Sequence, residues 1–322
     1  MARISDFRCV YVSESTGVHD RRWLSALEGL GFRTHHVCLS DFESKENFHA
    51  SLTIVEKQVP VIAGPLKLAM DIPSSISDLN LLSWGFDLQE APQDLDLTRF
   101  SAVIVDSTAN EHIARLGGAS RVLRIPWGID ITQFSDRGPV MDLGALGIRD
   151  DEAIVLSLRA HERRYRVADI IRAFAMTPRD ARLVIGNSGS QTNELRDLAL
   201  ELGLDAVFLP TLDESELPVL LRRASVYVTA SEVDGTSVTL LQAMACGVPV
   251  VASVNAGNAD WVHEGTTGFS FPIGDLDRLS QCLDVAIRTG SQFTSQARAL
   301  IVGRADWHRN VGQLVPLLTR RR

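Results

Sequence analysis

The chain has 322 residues, 45% of them hydrophobic, and a formal net charge of −8. That length suits two ordinary domains, and the balance is that expected of a soluble cytoplasmic enzyme. No basic face stands out of the composition, which argues against a nucleic-acid binder. No apolar run approaches the ~20 residues needed to span a bilayer, and MARISDFRCVYV lacks a signal-peptide core. Contact with the inner face of a membrane stays open. Cys9, Cys38, Cys246 and Cys282 are far apart, without metal-ligand spacing, and are expected to be reduced, packed thiols.

In chain order, Arg8–Val12 predicts a first strand and SESTGVHD a loop. Trp23, Leu24, Leu27 and Leu30 recur at helical spacing until Gly31 stops the helix, and Thr34–Leu39 predicts a second strand. The first turn holds one glycine, Gly17, rather than the three of the dinucleotide fingerprint. Asp20 is expected as the N-cap, with His19 beside it as a candidate to reach a ligand. Residues 41–58 read as a polar, partly helical excursion. Val59–Ala63 and Asn80–Ser83 read as short strands joined by GPLKLAMDIPSS. Phe100–Asp106 is a clear buried strand, with Asp106, Ser107 and Thr108 capping a helix to Leu116. In RVLRIPWGIDITQF, Gly128 provides a turn, Asp130 a cap and Phe134 an anchor, and a linker is expected at about 135–142.

The second half repeats the format. Ala153–Leu158 predicts a strand, followed by RAHERRYRV with four arginines in eight residues. Arg163, Arg164 and Arg166 suit a solvated helix face. Arg159 stands apart because it follows a strand's carboxyl end, where ligands of open α/β sheets bind, and its planar fork suits two phosphate oxygens. Arg182–Ile185 and Ala206–Leu209 read as strands, with a helix from Asn193 to Leu202 between them and a short helix at Leu217–Arg223 after them. Ala224–Thr229 then leads into SEVDGTSVTLLQAMACGVPVVAS. Here a buried strand gives way to an acid, a glycine and two hydroxyl residues. An apolar helix follows, ended by Gly247 and Pro249, and then another strand. Small and hydroxyl residues at a helix start either form a plain cap or offer backbone N–H groups and a positive dipole end to an anion. The tail carries Trp307, Val311, Leu314 and Leu317 in helical register.

The stretch from Asp234 to Ser253 resembles the nucleotide-sugar motif of retaining glycosyltransferases of family 4, also called glycosyl transferases group 1. In that motif a carboxylate precedes a small-residue loop, and a second follows eight positions later within EAMACGxPVVAS. The resemblance implies an α/β chain of GT-B architecture, with two Rossmann-like, doubly wound parallel-sheet domains facing a cleft. The expected domains are 1–140 on the acceptor side and 141–304 on the nucleotide-sugar side, with a terminal helix at 305–322 crossing back. It places Asp234 near the donor sugar, the amides of Gly235, Thr236, Ser237 and Val238 on the diphosphate, and Gln242 on the ribose hydroxyls. Arg159 matches the diphosphate arginine, Gly186 lies in the loop near the base, and the Gly17 turn lies beneath the diphosphate. Arg164 is kept among the donor-binding candidates. The Trp84-Gly85-Phe86-Asp87 turn matches a histidine-bearing turn of the family. Trp84 is then either a sugar-stacking platform or simply core.

Three positions depart from the pattern: Trp84 replaces histidine, Tyr165 a lysine and Gln242 a glutamate. An amide can still accept from one hydroxyl and donate to another, without charge assistance. The first half is short for the family, so the acceptor is poorly specified. The resemblance implies sugar transfer from a nucleotide diphosphate donor, UDP being the commonest, to a small-molecule, lipid-linked or saccharide hydroxyl acceptor. No metal and no cofactor are expected. A nucleotide-sugar-binding paralogue without transferase activity is the second reading, and a sugar-nucleotide epimerase is a distant third.

Overall fold

The computed structural model describes residues 8–53, 59–83, 85–177 and 181–319. Trp84 and residues 54–58 of the polar excursion lie outside the described residues. Contacts divide the chain into Met1–Trp127 with His308–Arg322, and Gly128–Trp307.

In the first unit β1 (Arg8–Ser13), α1 (Val18–Gly29), β2 (Arg33–Cys38), α2 (Lys45–Leu52), β3 (Val61–Ala63) and α3 (Leu66–Asp71) alternate in order. They are followed by β4 (Leu79–Leu82), β5 (Ala102–Val105), α4 (Thr108–Leu116) and β6 (Val122–Arg124). The six strands are all parallel, in the order β2-β1-β3-β4-β5-β6. β3, β4 and β5 are buried along their whole length, as strands covered on both faces must be. Their side chains pack with Phe48, Leu52, Leu68 and Leu97 in one apolar core. α3 is a helix inside the stretch expected only to connect two strands. Its apolar Leu66, Leu68 and Ala69 are buried, while Lys67 and Met70 face out.

The second unit contains β7 (Ala153–Ser157), α5 (Val167–Ala175), β8 (Ala181–Ile185), α6 (Thr192–Glu201), β9 (Val207–Phe208) and α7 (Leu217–Arg223). Next come β10 (Val226–Thr229), α8 (Val238–Ala245), β11 (Val250–Ser253), β12 (Phe269–Phe271), α9 (Leu276–Thr289) and α10 (Thr294–Arg304). Its six parallel strands run β12-β11-β10-β7-β8-β9. One face of the sheet packs on α7, α8 and α10 through residues such as Leu221, Leu241, Met244 and Ile301. The other packs on α5, α6 and α9 through Ile170, Ile171, Leu195 and Leu283. α8 is buried almost all round, which fits its near-continuous apolar sequence. It ends where Gly247 turns at φ 73°, a left-handed conformation that glycine adopts without steric cost.

The segment before α9 is a parallel crossover: β12 pairs with β11 in parallel register. The expected domain boundary at 140/141 lies in the contacts at 127/128. The displacement has a packing cause, because Ile129, Phe134, Leu143 and Ile148 are buried in the second unit's core beside Leu220 and Trp261. The tail forms α11 (Trp307–Val311), a 3₁₀ turn at Gly312–Leu314 and α12 (Val315–Leu318), rather than one continuous helix. Asn310 donates to the Pro126 carbonyl at 3.1 Å within the first unit. All four cysteines are free and buried. Among the described residues no helix is long and apolar enough to cross a membrane.

Candidate functional site

In the second sheet β7, the first strand of its unit, is flanked by β8 on one side and β10 on the other. The order in which the chain adds strands therefore reverses at β7–β10, so that the helices following those two strands lie on opposite sides of the sheet. A crevice at such a switch point is the usual ligand position in an open parallel sheet. Arg159 leaves β7 there, and Asp234 to Ser237 leave β10 there.

The two loops are bonded together. Arg159 Nη2 lies 2.7 Å from Asp234 Oδ2, and Arg159 Nη1 donates to Ser237 Oγ at 2.8 Å. The guanidinium carbon lies 4.2 Å from the centre of the Tyr165 ring, a cation–π distance. Arg159 is 8% exposed, and its Nε is buried without a hydrogen-bond partner among the described residues. Burial by itself would lower the guanidinium pKa. The Asp234 carboxylate, with smaller help from Tyr227 and Tyr165, offsets this and holds it above its ordinary value. The arginine is thus a fixed, permanently charged donor.

Ser237 is the N-cap residue of α8, but its side chain makes no capping hydrogen bond and the first turn contains no acid. The Ser237 hydroxyl accepts from Arg159 instead. The first N–H groups of a helix have no intrahelical acceptor, so this end of α8 keeps its positive character. Gly235 and Thr236 are buried beneath it, and Thr236 Oγ1 has no hydrogen-bond partner among the described residues. Val238, the first residue of α8, is half-buried. Gln242 is 6% exposed, with a buried, unpartnered Oε1 among the described residues. It therefore lies inside the fold and not on the helix's solvent face. On β10, Tyr227 lies within hydrogen-bond distance (2.6 Å) of Thr239 Oγ1, and burial raises its phenol pKa.

The loop after β8 is tied to the loop after β7. Glu162 accepts from Ser190 N–H at 2.8 Å and from Ser190 Oγ at 2.6 Å. His161 N–H donates to the Ser188 carbonyl, and His161 Nδ1 lies 2.9 Å from Thr192 Oγ1. Burial lowers the His161 pKa and favours the neutral ring. Gly186 is buried at the start of this loop and continues the β7–β8 ladder through its N–H to Ser157. Asn187 follows with φ 84°, its Oδ1 accepting from Ser188 N–H and Thr211 Oγ1. His161 and Glu162 escape a reading by sequence because their partners lie about thirty residues downstream. The only local signal is a histidine and an acid just past Arg159.

Arg164 is exposed and sits in a 3₁₀ turn, Arg163–Tyr165. It meets the β10 loop through its backbone: its carbonyl accepts from Glu232 N–H at 2.8 Å. Gly17 and His19 belong to the other unit. Gly17, not Asp20, is the N-cap residue of α1. Asp20 occupies the third helical position, where its Oδ2 accepts from Gly17 N–H at 2.8 Å and its Oδ1 from Tyr11 OH at 3.1 Å. The helix thus starts three residues earlier than expected, and Asp20 reaches back from its first turn to the N-cap N–H, the acidic half of a capping box. The exposed His19 ring packs on Trp127 with centroids 4.9 Å apart. Trp84 is among the residues left undescribed.

Two doubly wound parallel sheets in one chain, the second with a cation and an uncapped helix start at its switch point, define a protein of the GT-B fold. HepE of Anabaena, solved in complex with UDP, shares that fold with a TM-score of 0.79 over 97% of this chain and 99% of its own, at 16% identity. Residues 142–300, just under half of the chain, match the family model described as glycosyl transferases group 1, and that segment is of the group 1 type. A D-inositol 3-phosphate glycosyltransferase of Saccharomonospora viridis is 32% identical over 50% of this chain and 41% of its own length. A GDP-mannose-dependent monoacylated phosphatidylinositol monomannoside mannosyltransferase of Corynebacterium glutamicum is 26% identical over 66% of this chain and 56% of its own. The chain thus spans about half the length of these curated relatives.

Proposed function

We propose that the protein is a retaining glycosyltransferase that moves a sugar from a nucleotide diphosphate donor, a UDP-sugar in the first instance, to a hydroxyl acceptor. The observation that carries the reading is the convergence of Arg159, Asp234 and Ser237 on the uncapped start of α8. On this reading the Gly235–Val238 backbone and the helix dipole receive the diphosphate, and Arg159 transfers its bonds from Asp234 and Ser237 to phosphate oxygens. Asp234 then sets negative charge beside the anomeric carbon as it becomes cationic, and Gln242 takes the ribose hydroxyls.

As the bond from the anomeric carbon to phosphate oxygen breaks, its electron pair stays on the diphosphate. The acceptor oxygen bonds on the same face and passes its proton to that phosphate oxygen, so no separate base is required. Charge on the leaving group is met by Arg159 and backbone dipoles, which is why the proposal includes neither metal nor cofactor. The relatives' names include inositol phosphate and phosphatidylinositol mannoside. A polyol, saccharide or glycolipid acceptor, met in the cytoplasm or at the inner membrane face, is the corresponding proposal here. The product would enter polysaccharide, glycolipid or glycosylated-metabolite synthesis.

A thermal-shift screen against UDP, GDP, TDP and ADP tests the reading. A diphosphate present at 100 times its dissociation constant should stabilise the fold by ~2.7 kcal/mol. No shift with any of the four would overturn the proposal. Binding without release of nucleoside diphosphate from the matching sugar donor, in the presence of a mixed acceptor pool, would make the chain a nucleotide-sugar-binding paralogue.

A further inference from the structure

β11 ends beside the Asp234 loop, and the residues after it form a cast of that loop. The Ser231 carbonyl, at the start of the turn leading to Asp234, accepts two buried side-chain donors: Ser253 Oγ at 2.6 Å and Asn255 Nδ2 at 2.9 Å. Two donors occupy both lone pairs of that oxygen, so the peptide cannot rotate without leaving buried groups unpaired. Asn255 is held in turn, because its Oδ1 accepts from Asn258 N–H at 2.9 Å. Asn258 Nδ2 returns to the Ser253 carbonyl, also at 2.9 Å. Asn255 and Asn258 are 9% and 2% exposed, so water does not compete for these bonds.

Gly257, between the two asparagines, lies against the backbone of the donor loop. A Cβ there would fall well inside van der Waals contact with the Gly235 carbonyl oxygen and 2.7 Å from the Asp234 carbonyl oxygen. Only a residue without a side chain permits that approach, and backbone rather than a flexible side-chain tip would have to yield to any other. On the far side, Arg159 grips the same loop through Asp234 and Ser237. The loop is thus held between β7 and the segment after β11.

We propose that Asn255 and Gly257 are positioning residues that mould the Ser231–Gly235 turn and thereby set Asp234 and the start of α8 against Arg159. The inference rests on the donor-site reading above, and neither residue touches the donor. Local order of the loop, and with it diphosphate affinity, comes from β11's loop as much as from β10.

The test compares Gly257→Ala and Asn255→Ala with wild type and with Gly303→Ala, whose added Cβ would meet nothing within 4 Å. The measurements are amide hydrogen exchange across residues 231–241 and the dissociation constants for UDP, GDP, TDP and ADP, at a temperature where each variant is fully folded. Gly257→Ala should weaken the diphosphate that wild type binds by tenfold or more. Asn255→Ala should weaken it about tenfold, the scale of one buried hydrogen bond left unmade. Both should raise exchange at 231–237, and Gly303→Ala should change neither reading. A lower melting point with unchanged affinity and unchanged exchange at 231–237 would reduce both residues to ordinary packing and overturn the inference. If wild type binds none of UDP, GDP, TDP and ADP the donor-site reading fails separately. The exchange data then decide alone: unchanged protection at 231–237 overturns the moulding role, and raised exchange upholds it.

Discussion

The starts of α1 and α8 are the same piece of architecture used in opposite senses. Each follows a buried parallel strand through a short turn with a glycine, at the carboxyl edge of a six-stranded sheet. At α1 the chain supplies its own anion: Asp20 accepts from Gly17 N–H and from the buried Tyr11 OH. Burial, then the neighbouring carboxylate, push the Tyr11 phenol well above its ordinary pKa, so the tyrosine remains a donor. At α8 no acid and no side-chain cap occupy the first turn, and a buried arginine stands beside it. Fold geometry thus creates two similar helix starts that differ in whether a carboxylate of the chain occupies the first turn.

The sharpest way to break this comparison is to remove the cation. Arg159→Ala should lower turnover ~10²–10³-fold, the loss typical of one preorganised donor to developing negative charge, with a much smaller rise in the donor KM. Arg159→Lys should recover part of the loss, since charge returns without the two-pronged geometry. Arg163→Ala, on the exposed turn, should do almost nothing. Steady-state kinetics of the stably folded variants decide the matter, and near-normal turnover in Arg159→Ala would move the diphosphate clamp elsewhere.

Smaller effects are expected where neutral groups are involved. Gln242→Ala should weaken diphosphate binding by ~1–2 kcal/mol, and Gln242→Glu should bind equally well or tighter, as calorimetric titration would reveal. Equal affinity in all three forms would take Gln242 off the ribose. In the first unit, Asp20→Ala should cost ~1 kcal/mol of stability in denaturant unfolding, the scale of a lost helix cap, and leave diphosphate affinity unchanged. A second diphosphate site appearing in Asp20→Ala would mean that the carboxylate alone had kept that helix start closed.

The smallest effect concerns His161. Its folded pKa lies below the ordinary 6.5 because burial disfavours the charged ring. As pH falls through 6.5 the unfolded chain takes up this proton first, so the contribution is complete above that value and declines below it, until the folded ring also titrates. His161→Phe should therefore show a shallower loss of stability than wild type on acidification below pH 6.5. Parallel stability–pH curves for the two proteins would refute that assignment.

Much of this was legible in the residue order. Runs such as VYVT and AIVLS are apolar throughout because both faces of a parallel strand are covered, so strand positions and the doubly wound class follow directly from pattern. The site's outline was legible too, because Arg159 follows a strand and the acid–glycine–hydroxyl run precedes a helix. Local pattern was silent where partners are remote in sequence. Phe134 reads as an anchor, but whichever core it fills decides where one unit ends, and only packing shows that it fills the second. The β11–β12 crossover likewise has no local signature, since parallel pairing is set by where a strand docks and not by its turn.

Sequence by itself determined the alternation of strands and helices, the positive helix start and the chemical types available around it, because periodicity, caps and charge are local properties of the chain. Tertiary structure alone decided that Arg159 meets Asp234 and Ser237, more than seventy residues away, and that Asn255 and Gly257 brace the loop between them. Those contacts depend on strand order, and strand order is chosen by the packing of whole helices on the sheet, which no short stretch of sequence contains.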